Sequence, residues 1–413
     1  MKMKFSCLFA VLAVLMGICV SCGNIGGDDG DNPYKKLDLT TKSEEYVRQG
    51  TNFAFEFIDR IQASEAGDFF ISPLSMQFLL GMLLNGAQGE TADEIGKVLG
   101  YGAGEVAAVN YYCLSMLEQL PGLDKKTKLS IANAIFVNQS YSLLDSYKNT
   151  VGKYYQAEVA NLDFTKNTAA VNSINGWCNK QTHGMIPKVL DQVNPAMFAY
   201  LLNALYFKSE WKNKFSKSNT GSETFTAGDG TKKKVPMMKK DGSFQYQEND
   251  DFRVVSLPYG NGAFQMLVVL PQTGKNLTDV SAALKAADWD KFRYSMVRCE
   301  VDLWLPKFET KYSKYLNDIL SAMGMPSSFS PKAADFKAMS PAALCLSFVK
   351  QDAVIKVDEE GTEAAAVSMA GMYAAAAAPG QHVVFHADQP FLYLITESST
   401  GAILFAGKYS KTE

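Results

Sequence analysis

The chain contains three histidines, His183, His382 and His386, and any chemistry that needs an imidazole must be built from them. No G-x-S-x-G turn is present to lift a serine off the end of a strand, so a Ser-His-Asp hydrolase has little to work with. His183, in KQTHGMIPK, stands where a helix should end and reads as part of its cap. His382 and His386 have the spacing of a metal pair on a helix, but the VVF between them is strand-like and puts both on one strand face. A packed or surface pair is the reading, and no metal is expected. GYGAGE lacks the third glycine of G-x-G-x-x-G and leads into a helical pattern, so neither a dinucleotide nor another cofactor is expected. Cys113, Cys178, Cys299 and Cys345 form no C-x-x-C and lie 46 or more residues apart, which disfavours a zinc site. They are expected to be buried free thiols, with a disulfide as the alternative that an exported chain permits. The five lysines of KKKVPMMKK, residues 232–240, suit the solvated edge of a strand better than a polyanion site.

With catalytic constellations set aside, the stretch that stands out is DEEGTEAAAVSMAGMYAAAAAPGQHVVF, residues 358–385. Alanine and serine bury little apolar area, so so long a run of them adds little to a core. Taken as a strand, it places Thr362, Ala364, Ala366, Ser368 and Ala370 on one face and Glu363, Ala365, Val367 and Met369 on the other. One face is uniformly small, and the acid falls on the opposite one. That pattern suits a strand that must slide into an existing sheet. A helix, which alanine favours, and a plain loop are the alternatives, and neither accounts for the alternation.

The elements that must hold this stretch change character along the chain. TNFAFEFIDRIQ and SPLSMQFLLGMLLNGA carry helical apolar spacing, and Thr91 with Glu94 three residues on reads as a cap before ADEIGKVLG. Later segments are rich in branched and aromatic residues: LSIANAIFVN, YLLNALYFKSEW, RVVSLPYG, FQMLVVLP, EVDLWLPKF, ALCLSFVKQDAVIKVD, PFLYLITE and AILFAGKYS. Helices first and mainly antiparallel strands afterwards predict an α+β fold. No linker or repeat interrupts residues 42–413, which read as one large domain.

Residues 1–22 read as a signal peptide, with Lys2 and Lys4 ahead of an apolar core too short for a full membrane span. Cys22 after Ser21, followed by a Gly/Asp-rich stretch, resembles a bacterial lipoprotein signal in which that cysteine is lipidated. Cys19 stands where such signals carry leucine, which leaves ordinary signal cleavage as the alternative. Residues 23–41 read as a flexible tether. The expected location is the cell envelope, as a lipoprotein, or the extracellular space. Of 413 residues 47% are hydrophobic, enough for a large core, and the formal charge of −3 offers no basic surface for nucleic acid. Membrane contact is expected only through the lipid.

The ordered set of segments from Gly50 to Lys411 closely resembles the serpin family. It includes FFISPLSMQFLLGMLLNGAQGETADEIGKVLG, LLNALYFKSEWKNKF, VPMM, LPYG with MLVVLP, LPKF, VDEEGTEAAA and ADQPFLYLITESSTGAILFAGK. The resemblance implies three β-sheets, eight or nine helices and an exposed reactive-centre loop at about 361–381. It implies an inhibitor, not an enzyme: a serine protease attacks the loop, an acyl-enzyme forms, and the freed loop enters the main sheet as a new central strand. The hinge would be Glu359, Glu360, Gly361, Thr362, Glu363, Ala364, Ala365 and Ala366. The polar cluster under the sheet would be Ser72, Ser75 and Asn203, with Gln351 where the family usually has histidine, and Trp211 would mark the point of entry. The usual spacing puts the reactive bond at Ala375-Ala376, within a window from Met372 to Ala378. From Gly361 to Ala375 a strand would span about 46 Å, long enough to cross such a sheet. Alanines suit the shallow pocket of elastase-like proteases, with subtilisin-like ones secondary. Tyr373 would suit a chymotrypsin-like pocket, and no lysine or arginine lies between Glu359 and Lys408 for a trypsin-like one. A monomer is expected, and a non-inhibitory serpin acting as a binding or chaperone protein is the alternative.

Overall fold

The computed structural model describes residues 31–362 and 382–411. Thr40 starts the first helix, α1 (Thr41–Ser64), by accepting a hydrogen bond from the Ser43 amide, and the helix buries Tyr46, Val47, Phe53, Phe57 and Ile61. After β1 (Phe69–Ile71), Ser72 caps α2 (Pro73–Gly86), a helix buried nearly all round, as its almost unbroken apolar sequence requires. The other helices are α3 (Gly89–Leu99), α4 (Val106–Gln119), α5 (Asp145–Tyr155), α6 (Asn167–Gln181), α7 (Leu277–Ala286), α8 (Trp289–Tyr294) and α9 (Asn317–Met323). Thr91 is not the predicted cap of α3. It lies fully buried in the first turn, where its hydroxyl accepts from the Asp335 amide and meets that of Ser327, while Glu94 accepts from the Ser327 amide.

A six-stranded sheet contains β2 (Lys128–Asn138), β3 (Glu158–Leu162), β4 (Ala199–Glu210), β10 (Phe308–Tyr315), β11 (Lys350–Val357) and β12 (Gly361–Thr362). Its order is β10-β11-β12-β4-β2-β3. One face of β4 presents Phe207, Leu205 and Leu201 to the main core around α2, and the other presents Tyr200 and Ala204 to a smaller core under α6. A second network runs β1-β15-β14-β8-β7-β6-β9-β13, with β5 also pairing β6. Its members are β5 (Gly221–Thr226), β6 (Lys232–Glu248), β7 (Phe252–Pro258), β8 (Phe264–Pro271), β9 (Val297–Pro306), β13 (His382–His386), β14 (Phe391–Glu397) and β15 (Ile403–Tyr409). Three sheets were expected; hydrogen bonding joins two of them because β6 runs unbroken for 17 residues, pairing β5, β7 and β9 along its length.

Two stretches differ from their predicted state. Of ALCLSFVKQDAVIKVD, only Lys350–Val357 forms ladder bonds, and residues 343–348 have no strand partner among the described residues. Part of the stretch read as a tether is docked: Asn32 is buried, its side chain donating to Asp124 Oδ1 at 2.7 Å and accepting from the Lys125 amide at 3.0 Å, and Leu37 joins the core. The described cysteines are free, with Cys113, Cys178 and Cys299 buried and Cys345 half-buried, so the expected burial fails for the last. Burial pushes the Cys113 and Cys178 thiols up to about 12.

Candidate functional site: the hinge and the lane beside it

Among the described residues, β4 and β11 are joined only through the two residues of β12. Gly361 pairs with Glu210 and Thr362 with Ser209 on one side, and Thr362 pairs with Val357 on the other, all antiparallel. The described chain thus fills the central lane of the sheet only at its top. The chain is tightly fitted there, because a Cβ on Gly361 would collide with the Ser209 carbonyl oxygen and the Glu210 Cα. Thr362 is buried with its hydroxyl 2.6 Å from that of Tyr259.

The top of the lane is held by a set of directed contacts. Trp211 stacks on Tyr259 at 4.5 Å between ring centroids, and its indole N–H donates to the Asp358 carbonyl at 2.8 Å. The Trp211 and Phe215 amides donate to the carbonyls of Glu360 and Glu359, both at 2.9 Å. Glu359 accepts from Lys307 at 2.8 Å and from the Thr220 hydroxyl at 2.9 Å, and Glu360 pairs with Lys214 at 2.8 Å. Burial alone would push the Glu359 carboxyl up, but its bonds to Lys307, backbone and Thr220 hold it below the usual carboxylate range. For Glu360 the bond from Lys214 is the main lowering cause.

Halfway down the lane the residues predicted for the polar cluster come together. Ser72 donates from its hydroxyl to the Leu404 carbonyl at 2.8 Å and accepts from the Ser75 amide at 3.1 Å. The Ser75 hydroxyl bonds to the Asn203 side-chain oxygen, and the Asn203 amide donates to Asn133 Oδ1 at 2.6 Å. Gln351 grips the main chain of Ser72, accepting from its N–H at 3.2 Å and donating to its carbonyl at 3.0 Å. Glutamine therefore does with one uncharged amide what needs both a donor and an acceptor.

Glu359, Glu360, Gly361, Thr362, Ser72, Ser75, Asn203, Gln351 and Trp211 thus fall along one lane. Glu363, Ala364, Ala365, Ala366, the Met372 to Ala378 window with Ala375-Ala376, and Cys22 lie outside the described residues. Sequence reasoning did not single out Asn133, Thr220, Lys307 or Tyr259. Tyr259 and Lys307 sit inside the quoted LPYG and LPKF segments, while Asn133 carries no local signal, since its role comes from lying opposite Asn203 in the β2–β4 register. His183 lies just past α6 with its ring tilted against that of Tyr206 at 4.6 Å between centroids, and His386 stacks on Trp304 and meets Asp302 at 2.9 Å. No group of metal-binding side chains occurs among the described residues.

The family model for serpins, described as serine protease inhibitors, matches residues 48–412. The chain is a serpin. It is 34% identical to an uncharacterized serpin-like protein of Thermococcus kodakarensis, with 91% of this chain and 88% of that protein covered. It is 32% identical to the leukocyte elastase inhibitor of Xenopus laevis, with 87% and 97% covered. Among solved structures, the thermophilic serpin tengpin in its native state matches with a TM-score of 0.82 at 27% identity, covering 92% of this chain and 97% of that one. Thyroxine-binding globulin in complex with thyroxine matches with a TM-score of 0.79 at 29% identity, covering 89% and 100%. The α+β architecture expected from the sequence is the serpin fold, and this serpin places its small-residue segment directly after the hinge strand β12.

Proposed function

We propose that this serpin is an irreversible suicide-substrate inhibitor of serine proteases of the elastase-like type, with subtilisin-like and chymotrypsin-like enzymes as further targets. The protease serine attacks the carbonyl carbon of Ala375, an ester to the protease forms, and the bond to the Ala376 nitrogen breaks as that nitrogen takes a proton. The severed segment then enters the lane between β4 and β11 and carries the tethered protease with it. The observation that carries this reading is the hinge: Gly361 and Thr362 are small, Gly361 is already paired with Glu210 and Thr362 with a strand on each side, and the sequence that follows has Ala364, Ala366, Ser368 and Ala370 at the alternate positions that would share a face with Thr362. Around a dozen new ladder bonds at about 1 kcal/mol each would make the inserted state the more stable one. The protein acts as a monomer without cofactor, is exported, and reaches a membrane only through a lipid on Cys22.

The test is incubation with an elastase followed by a denaturing gel. A covalent complex, cleavage mapped to the Met372 to Ala378 window, and a nicked protein that melts later than the intact one are the expected results. Complete cleavage without complex favours the second reading, a binding or chaperone protein, which the likeness to thyroxine-binding globulin also suggests.

A further inference from the structure

Two neighbouring helices carry the same dipeptide, Tyr111-Tyr112 in α4 and Tyr154-Tyr155 in α5. Consecutive residues of a helix point about 100° apart, so each dipeptide divides between the core and the surface. Tyr112 and Tyr155 are the buried members, and Tyr155 ties the helices together by donating its hydroxyl to Asn110 Oδ1 at 2.8 Å. The outward members then meet each other. The Tyr111 and Tyr154 rings pack edge to face, with 5.1 Å between centroids and 76° between planes. The Lys153 ammonium covers both, 4.6 Å from the Tyr154 centroid and 6.0 Å from that of Tyr111.

The phenol ends of the two rings also face each other. Hydrogen bonding from Tyr111, and then from Lys153, holds the Tyr154 phenol below its usual value, while the Tyr111 phenol is raised in return. The oxygens, and the ring carbons beside them, are therefore close. Tyr111 is 58% exposed, which leaves its ring open to an oxidant. Among the described residues the other tyrosine rings in mutual contact, Tyr46 with Tyr101 and Tyr46 with Tyr112, are buried. Tyr294 is more exposed than Tyr111, at 75%, but no other tyrosine ring packs on it among the described residues.

We propose that Tyr111 and Tyr154 form an oxidative crosslinking site, at which a haem peroxidase with hydrogen peroxide joins the two rings into dityrosine within one molecule. Each phenol gives up one electron and its hydroxyl proton to become a radical. The two radicals couple carbon to carbon beside their oxygens, and the hydrogens on those carbons move to the oxygens as the rings regain aromaticity. The protein loses two hydrogens, and one hydrogen peroxide is reduced to two waters. The new bond joins α4 to α5 and closes residues 111–154 into a covalent loop, which limits the unfolded chain as a disulfide does. That loop contains β2, the strand beside β4 in the main sheet. The site is independent of what the protein does to proteases.

The test treats the full chain in dilute solution with a haem peroxidase and hydrogen peroxide. The expected product is a monomer with dityrosine fluorescence, two hydrogens lighter, whose digest yields a peptide pair joined at Tyr111 and Tyr154. Its melting temperature should rise by about 5 °C. Tyr111→Phe and Tyr154→Phe should each lower the yield of monomeric dityrosine by about tenfold or more, because coupling depends on two rings already held together. Tyr294→Phe should leave the yield unchanged. An unshifted melting temperature of each untreated variant shows that the fold is kept. Undiminished yield in both variants at 111 and 154, or a crosslink mapped to Tyr34 and Tyr294 in its place, overturns the proposal. Fluorescence confined to covalent dimers and rising with protein concentration assigns the exposed ring to contacts between copies and also overturns it.

Discussion

The hydroxyl of Thr362 lies 2.6 Å from the hydroxyl of Tyr259, beneath the plane of the main sheet, and Tyr259 in turn supports the indole of Trp211. The Thr362 side chain thus meets a buried polar atom in a closed space, and on the proposed mechanism any residue at this position must fit there. Thr362→Arg would put a charge and four more heavy atoms into that space, with desolvation and overpacking both opposed to entry. The expected outcome is a protein cleaved at the same bond with at least a tenfold loss of covalent complex, measured as protease consumed per molecule trapped. Tyr259→Phe is the milder test: it removes one hydrogen bond, costs about 1 kcal/mol, and should shift the denaturant midpoint while complex formation persists.

A second prediction concerns pH. Glu359 is buried beneath the Lys307 ammonium and the Thr220 hydroxyl, and its carboxyl is held below the usual range. A carboxyl whose folded pKa is depressed contributes stability that is fully present above its unfolded value near 4.3 and is lost as pH falls through the folded value. Between pH 5 and 8 the contact is therefore intact, and the hinge should loosen only below about pH 4. Glu359→Gln should weaken this acid-side dependence, and Glu359→Gln with Glu360→Gln should remove it, because the Glu360 carboxyl is also lowered by its bond to Lys214. Limited proteolysis at residues 358–362 across pH 3 to 7 checks it: the native hinge should become more sensitive below pH 4, the single variant less so, and the double variant should show a flat profile.

The polar cluster gives a third. Gln351 clamps the Ser72 main chain with one amide and does not titrate, so the rate of complex formation should carry no step between pH 5 and 8 from this site, once the protease's own titration is allowed for. Gln351→Ala would leave the buried Ser72 N–H unpaired and take one of two donors from the Ser72 carbonyl, which still accepts from the Met76 amide, a cost of about 1–3 kcal/mol that should appear as a lower melting temperature of the intact protein. Gln351→His should restore stability at high pH and introduce a step near neutrality, because an imidazole there gains or loses a proton in that range.

What could be read from the sequence was whatever lay within a contiguous segment. The helical spacing of α1 and α2 and the alternating strands were local patterns, and their order led to the fold. What escaped depended on partners far apart in the chain. Thr91 looks like a cap because a capping residue and a buried hydroxyl have the same side chain; only the arrival of Ser327 and Asp335 decides between them. Residues 343–348 have the composition of a strand, but a strand needs a neighbour, and among the described residues they have none. Asn133 gains its role only through the register that sets it opposite Asn203.

The last prediction comes from the stretch ahead of α1, where a Gly/Asp-rich composition suggested slack chain and the docked Asn32 shows otherwise. Its side chain closes a relay: Asn32 to Asp124 at 2.7 Å, Asp124 to the Thr127 hydroxyl at 2.6 Å, and Thr127 to the Ser209 hydroxyl at 2.6 Å. Ser209 is the residue that pairs with Thr362, so the start of the described chain supports the strand against which the hinge lies. Asn32→Ala should destabilise the intact protein by about 1–3 kcal/mol, because Asp124 loses a buried donor. Asn32→Asp should do more harm at neutral pH, since two carboxylates would then face each other, and the damage should ease as the pH falls toward 4 and one of them takes a proton. Thermal melts of the two variants at pH 7 and pH 4 separate the two causes: the alanine variant's deficit should change little with pH, whereas the aspartate variant's should shrink. Equal deficits at both pH values for both variants would mean that Asn32 acts by shape alone and that the relay to Ser209 carries no charge-sensitive link.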